Sequence, residues 1–156
     1  MKRWSLAVLM AGPLLGAGLA QEASKGDHDK IQGTWQVVSL ESRDSLKTGQ
    51  KIPEDKLKEL KVVITKDKLV VRSGKEPKSD LTYKINKLDP TKKPKWIDLA
   101  LVGKDGSEKP TGAIYELDGD QLKLCIGDPS PKPKRPTEFE VAKLGLLVMV
   151  LKRDKD

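Results

Sequence analysis

Two alternating runs around an Asp-Gly turn, GAIYELDGDQLKLCI from Gly112 to Ile126, constrain this chain more than any other stretch in it. Asp118-Gly119-Asp120 tolerates the positive φ angles of a tight turn, so the stretch predicts a β-hairpin. Leu122, Leu124 and Ile126 share one face, and Gln121, Lys123 and Cys125 share the other. A lone hairpin is marginal in water, so further strands must cover its apolar face.

Candidates lie on both sides. IQGTWQVVSLE predicts a strand from Thr34 to Glu41, and LKVVITKDKLVVRS predicts a second hairpin about Lys66-Asp67. Between Ser79 and Leu88 the residues Leu81, Tyr83 and Ile85 alternate with Thr82, Lys84 and Asn86, as a strand with one wet face should. From Trp96 to Val102, Ile97, Leu99 and Leu101 alternate with Trp96, Asp98 and Ala100. Thr137 to Ala142 predicts another strand, and Gly145 to Arg153 a last one that is apolar on both faces and so needs cover on its outside.

The connections read differently. Ser42 to Lys51 is a polar loop broken at Gly49, and Pro53 precedes a single helical turn in which Leu57 and Leu60 share a side. Gly103 to Gly112 is a loop. Gly127 to Pro136 carries Pro129, Pro131, Pro133 and Pro136, which cannot donate to a ladder, so it predicts a stiff, extended loop. About eight or nine short strands joined mostly to their sequence neighbours form an antiparallel meander, and closing first to last removes both edges. The expected fold is therefore all-β: an antiparallel up-and-down β-barrel of about eight strands over residues 31–153, with a two-sheet sandwich as the alternative.

Met1 to Ala20 has the three-part form of a secretory signal: Lys2 and Arg3, an apolar run from Leu6 to Leu19, and small residues at Gly18 and Ala20. Gly12, Pro13, Gly16 and Gly18 argue against the rival reading, an uncleaved membrane anchor. Cleavage after Ala20 implies an exported, periplasmic or secreted protein without a membrane span, and Gln21 to Lys30 then forms a flexible, polar N-terminal tail. Loss of the signal lowers the formal net charge from +7 to about +5, with the charges interleaved along the chain.

Catalytic constellations are missing from the pattern. Cys125 has no histidine partner except distant His28 and reads as an inert thiol in an apolar strand. No metal-ligand spacing, phosphate loop or cofactor motif is present, and Asp105, Asp118 and Asp120 lie in turns, though such carboxylates can also coordinate calcium. The expectation is a non-enzyme without cofactor or metal. Nucleic acid is not an expected partner, because the aromatic residues do not interleave with the basic ones.

Gly33-Thr34-Trp35 resembles the glycine-x-tryptophan motif that opens the first strand of lipocalin-like barrels, and Arg153 resembles the basic residue that packs over that tryptophan in them. Together, IQGTWQVVSLE, GAIYELDGDQLKLC, RPTEFE and the closing VLKR are similar to a lipocalin-like (calycin-like) domain family of unknown function abundant in planctomycete bacteria, over nearly all of Asp29 to Arg153. The resemblance implies a barrel and no established activity. The chain departs from ordinary lipocalins in lacking their disulfide and any clear C-terminal helix.

Two binding readings follow. Parity turns Tyr83, Leu99, Tyr115, Leu122 and Leu124 inward, where they would line a lumen for a small apolar ligand with two polar-tipped rings among aliphatic walls. The alternative is a filled barrel acting as an interaction module. Its basic, proline-bearing loops, with Lys92, Lys93 and Lys95 in one and Lys132, Lys134 and Arg135 in the other, would then grip a protein or an anionic surface from the barrel rim. Whether the interior is hollow separates the two.

Overall fold

The computed structural model describes residues 26–74 and 77–155. The expected signal segment, 1–20, lies outside the described residues. Alternating sequence becomes strand in β1 (Gly33–Ser42), β2 (Leu60–Ile64), β3 (Lys68–Ser73), β4 (Leu81–Asp89), β5 (Lys95–Val102), β6 (Glu108–Asp118), β7 (Gln121–Gly127) and β8 (Gly145–Arg153). Each strand pairs with the next and β8 returns to β1, every pair antiparallel, so the sheet is a closed up-and-down barrel. Closure leaves no edge strand in the barrel.

The barrel interior is one continuous core. Trp35, Val62, Leu69, Tyr83, Leu99, Tyr115, Leu124 and Met149 belong to a single packed cluster drawn from every strand. Two register shifts keep the core phase continuous, one between Val37 and Ser39 in β1 and one between Ile85 and Lys87 in β4. Each inserts one residue, so the apolar positions step from Trp35 and Val37 to Leu40, and from Tyr83 and Ile85 to Leu88.

The strand order gives the barrel two unlike ends. At the near end stand the tight turns about Lys66-Asp67, Gly119 and Pro90 to Pro94, the last with a cis Lys93-Pro94 bond. At the far end stand two long connections, 43–59 and 128–144, together with the five-residue turn 103–107 and the link from β3 to β4. Residues 26–30, expected as part of a flexible tail, instead form a helical turn, α1, at the near end. Their hydrogen bonds to the barrel, described below, hold them there.

Of three further expectations, the second holds and the other two change. The polar stretch after β1 is helical over α2 (Arg43–Thr48), because Ser42 and Ser45 cap each other's backbone N–H groups and Gly49 takes the left-handed conformation that stops the turn. The single turn after Pro53 is α3 (Glu54–Glu59). β6 starts at Glu108, inside the expected loop, with Pro110 opposite Ala100 and its carbonyl accepting from the Ser130 N–H at 2.9 Å.

Thr137 to Ala142 is not a strand. It lies outside the barrel and places Phe139 and Val141 over Ile114, Cys125 and Val148. This small second core is the outside cover that the doubly apolar β8 requires. The proline-bearing run before it crosses the outer wall at a point flattened by two glycines. A Cβ on Gly112 would meet Arg135 at 3.1 Å, and one on Gly127 would meet the Lys134 carbonyl at 2.8 Å.

Candidate functional site

The five residues expected to line a lumen all point inward and lie together in the core. A side chain bordering a water-sized void keeps accessible surface, and Tyr83, Leu99, Tyr115, Leu122 and Leu124 keep only 1–2%. They pack against each other and their neighbours rather than around an opening. Parity fixed their direction, and the volumes of Trp35, Met149 and the surrounding aliphatic residues fill the space between them. Burial pushes the Tyr83 phenol up to about 12.

The near end is locked by two sets of polar contacts. Trp35 is fully buried, donates from Nε1 to the Ile31 carbonyl at 2.9 Å, and carries the Arg153 guanidinium 4.2 Å from its ring centroid. Arg153 also donates to the carbonyls of Gln32, at 3.0 Å, and Lys30. Gly33, at φ +128°, leaves room for this arginine; a Cβ there would stand 3.0 Å from its Nη1. Across the same end, the Asp27 carboxylate of α1 accepts from the Tyr115 hydroxyl at 2.7 Å and from Lys95 Nζ at 2.8 Å. Burial first, then the Asp27 hydrogen bond and charge, hold the Tyr115 phenol well above its ordinary range. The polar tip expected for ligand orientation is thus spent on closing the barrel.

The far end carries a cleft. Between the end of β1 and the 43–59 connection lies a space of about 420 Å³, lined by the apolar residues Leu40, Leu46, Ile52 and Leu57 and by the polar Glu41, Ser45, Gln50 and Lys51. Leu40 and Leu57 pack against the barrel core, so the cleft floor is continuous with it. Both walls are anchored. Arg43 of α2 meets Asp128 at 2.5 Å and donates to the Gly145 carbonyl at 3.1 Å. On the other side, the Gln36 amide donates to the carbonyls of Leu57, at 2.9 Å, and Leu60, at 3.0 Å. Sequence reasoning did not single out these lining residues; the one legible sign was Leu46, an isolated apolar residue in a polar run, now 54% exposed.

The two basic loops do not meet at a rim. Arg135 crosses the outer wall, where its guanidinium donates to the carbonyls of Ala113, at 2.7 Å, and Ile97, at 3.2 Å, pairs with Asp98, and stacks 4.5 Å from the Trp96 ring. It staples the proline-bearing run to the barrel. Lys95 is likewise committed to Asp27, and Lys92 Nζ lies 4.8 Å from the Trp96 centroid. Lys93, Lys132 and Lys134 are exposed.

Cys125 is buried beneath Val141 and Phe139, and burial pushes its thiol up to about 11, away from the thiolate a nucleophile needs. His28 approaches Gln32 within α1 and its exit. Among the described residues no group of three or more His, Cys, Asp or Glu side chains is placed to hold a metal ion, and no helix is long and apolar enough to cross a membrane. No protein-family model matches the chain, and no curated protein or solved structure gives a match.

Proposed function

We propose that this chain is an exported, lipocalin-like binding protein that takes a small amphipathic molecule at the mouth of the barrel rather than inside it. The observation that carries the reading is the anchored cleft of about 420 Å³ beside Leu40, Leu46, Ile52 and Leu57, which abuts the packed core. Mouths of β-barrels are habitual ligand sites, and volumes of a few hundred cubic ångströms suit small molecules. The apolar residues take the ligand body, while Gln50 offers hydrogen bonds and Lys51 a positive charge to an acidic or polar head, with the Glu41 carboxylate also on the lining. A ligand of about 20 non-hydrogen atoms, each contributing roughly 0.3 kcal/mol, would bind with about −6 kcal/mol, a Kd of tens of micromolar.

The test is titration of the folded protein with an apolar fluorescent dye and with medium-chain fatty acids. Saturable binding that falls at least tenfold in Leu46→Glu supports the reading, since that change puts an acid among the apolar lining residues of the cleft at a half-exposed position. Absence of saturable binding by the parent, or equal binding by Leu46→Glu, overturns it.

A further inference from the structure

The outer wall of β2, β3 and β4 carries charge in an arrangement that folding alone does not favour. Register places Lys61 directly opposite Arg72, and Lys68 directly opposite Lys84. The inward parity of Val62, Val71, Leu69 and Tyr83 turns all four cations outward. Like charges facing each other across an antiparallel pair destabilise it. Partial compensation comes from Asp154, 2.7 Å from Lys61, and from Glu108, 3.4 Å from Lys84. Among the described residues no carboxylate pairs with Arg72.

Lys58, at the end of α3, adds a third positive group beside the first pair. Together with Glu59 and Gly74, the residues Lys58, Lys61 and Arg72 border an open cleft of about 690 Å³. The Gly74 N–H donates to the Glu59 carbonyl at 3.3 Å, which ties the β3 exit to α3 and holds the cleft's two sides together. Lys68 and Arg72 lie four residues apart on one face of β3, roughly 13 Å at the usual rise. Between the two cationic pairs stand Val63 and Val70, cross-strand partners that are only half-buried.

We propose that this wall is a binding track for a linear acidic polysaccharide. Repeated sulfate or carboxylate groups would meet Lys58, Lys61 and Arg72 at one end of the track and Lys68 with Lys84 at the other, while the apolar face of a sugar ring rests on Val63 and Val70. The anion relieves the cross-strand repulsion, so binding and stability are linked through the same residues. This track shares no lining residue with the mouth cleft or with either basic loop.

Heparin serves as the probe. Expected is saturable binding that weakens steeply between 50 and 200 mM salt, as displacement of counterions requires. The double substitution Lys68→Gln and Arg72→Gln should lower affinity at least tenfold while leaving the urea midpoint equal to or above the parent's, because it removes one member of each repelling pair. The loop control Lys132→Gln with Lys134→Gln should retain most of the affinity. Inorganic sulfate and vesicles of phosphatidylglycerol separate the sources of the anion, and both should compete only weakly. Unchanged heparin binding in the track variant, loss of binding in the loop control, or tighter engagement of the vesicles than of heparin would each overturn the proposal.

Discussion

The two ends of this barrel solve opposite problems with the same kind of residue. At the near end, turns of a few residues and α1 bring Trp35, Tyr115, Asp27 and Arg153 into mutually satisfying contacts. At the far end, longer connections keep apolar residues such as Leu46 and Ile52 at the surface around a cleft. The near end's polar groups answer one another, whereas the far-end cleft opens over an apolar floor. The comparison teaches that the contacts that lock the barrel and the open apolar cleft lie at opposite ends of its axis, with the packed interior between them.

The largest test of that separation is Trp35→Ala. Removing a fully buried indole that also donates to Ile31 should lower stability by about 3 to 5 kcal/mol, read as a fall in the urea midpoint. Arg153→Ala, which loses the cation over the ring and two hydrogen bonds to carbonyls, should lose about 1 to 2 kcal/mol. Equal midpoints for these two variants and the parent would remove the near end as the seat of stability.

Alkali attacks the body between the two ends. Folding raises the Cys125 thiol from 9.0 to about 11 and the Tyr83 phenol from 10.0 to about 12, because burial disfavours both anions. For groups raised in this way the stabilisation is complete below the unfolded value and is lost as pH climbs through the folded one. Stability should therefore decline from about pH 9 to about pH 12, and Cys125→Ala should flatten the lower part of the decline. Urea midpoints that stay constant from pH 8 to 12 in the parent would contradict this.

A smaller effect is expected from Tyr115→Phe. It removes the hydroxyl from Asp27 but leaves Lys95 as that carboxylate's partner, so about 1 to 2 kcal/mol should be lost. The smallest is Leu46→Glu, which should stay within about 0.5 kcal/mol of the parent while reducing dye binding. A large loss of stability there would place structural load at the far end and blur the contrast.

Strand positions were readable because alternation has one meaning in a half-buried sheet. Even the bulges in β1 and β4 left a trace, the shared step at Leu40 after Trp35 and Val37, and at Leu88 after Tyr83 and Ile85. Phe139 and Val141 alternate as strand residues do, yet the closed barrel offers them no ladder partner, so they became an external cover. Similarly, α2 depends on a reciprocal Ser42 and Ser45 cap, with serine where glutamate or glutamine is the familiar sign.

The candidate site was less legible. Parity identified Tyr83, Leu99, Tyr115, Leu122 and Leu124 as inward, but direction carries no information about whether neighbours leave room. The mouth cleft arises from a connection folding over β1, which has no local signature, whereas the Lys61 and Arg72 pair follows from the register of the hairpin about Lys66-Asp67. Arg135 shows the converse. A basic residue in an exposed-looking proline run turns out to be held by the carbonyls of Ile97 and Ala113.

The pairing of β1 with β8 also has a mechanical consequence. Trp35 stands opposite Arg153, and just beyond them the Asp154 N–H donates to the Thr34 carbonyl at 2.9 Å, so both strands meet at the near rim. Tension applied between residues 33 and 153 therefore peels the seam open one rung at a time instead of shearing all rungs together. The indole and its guanidinium lid sit at the first rung. Under load this barrel behaves as a zipper, and whatever closes its first rung sets the force at which the whole seam begins to run.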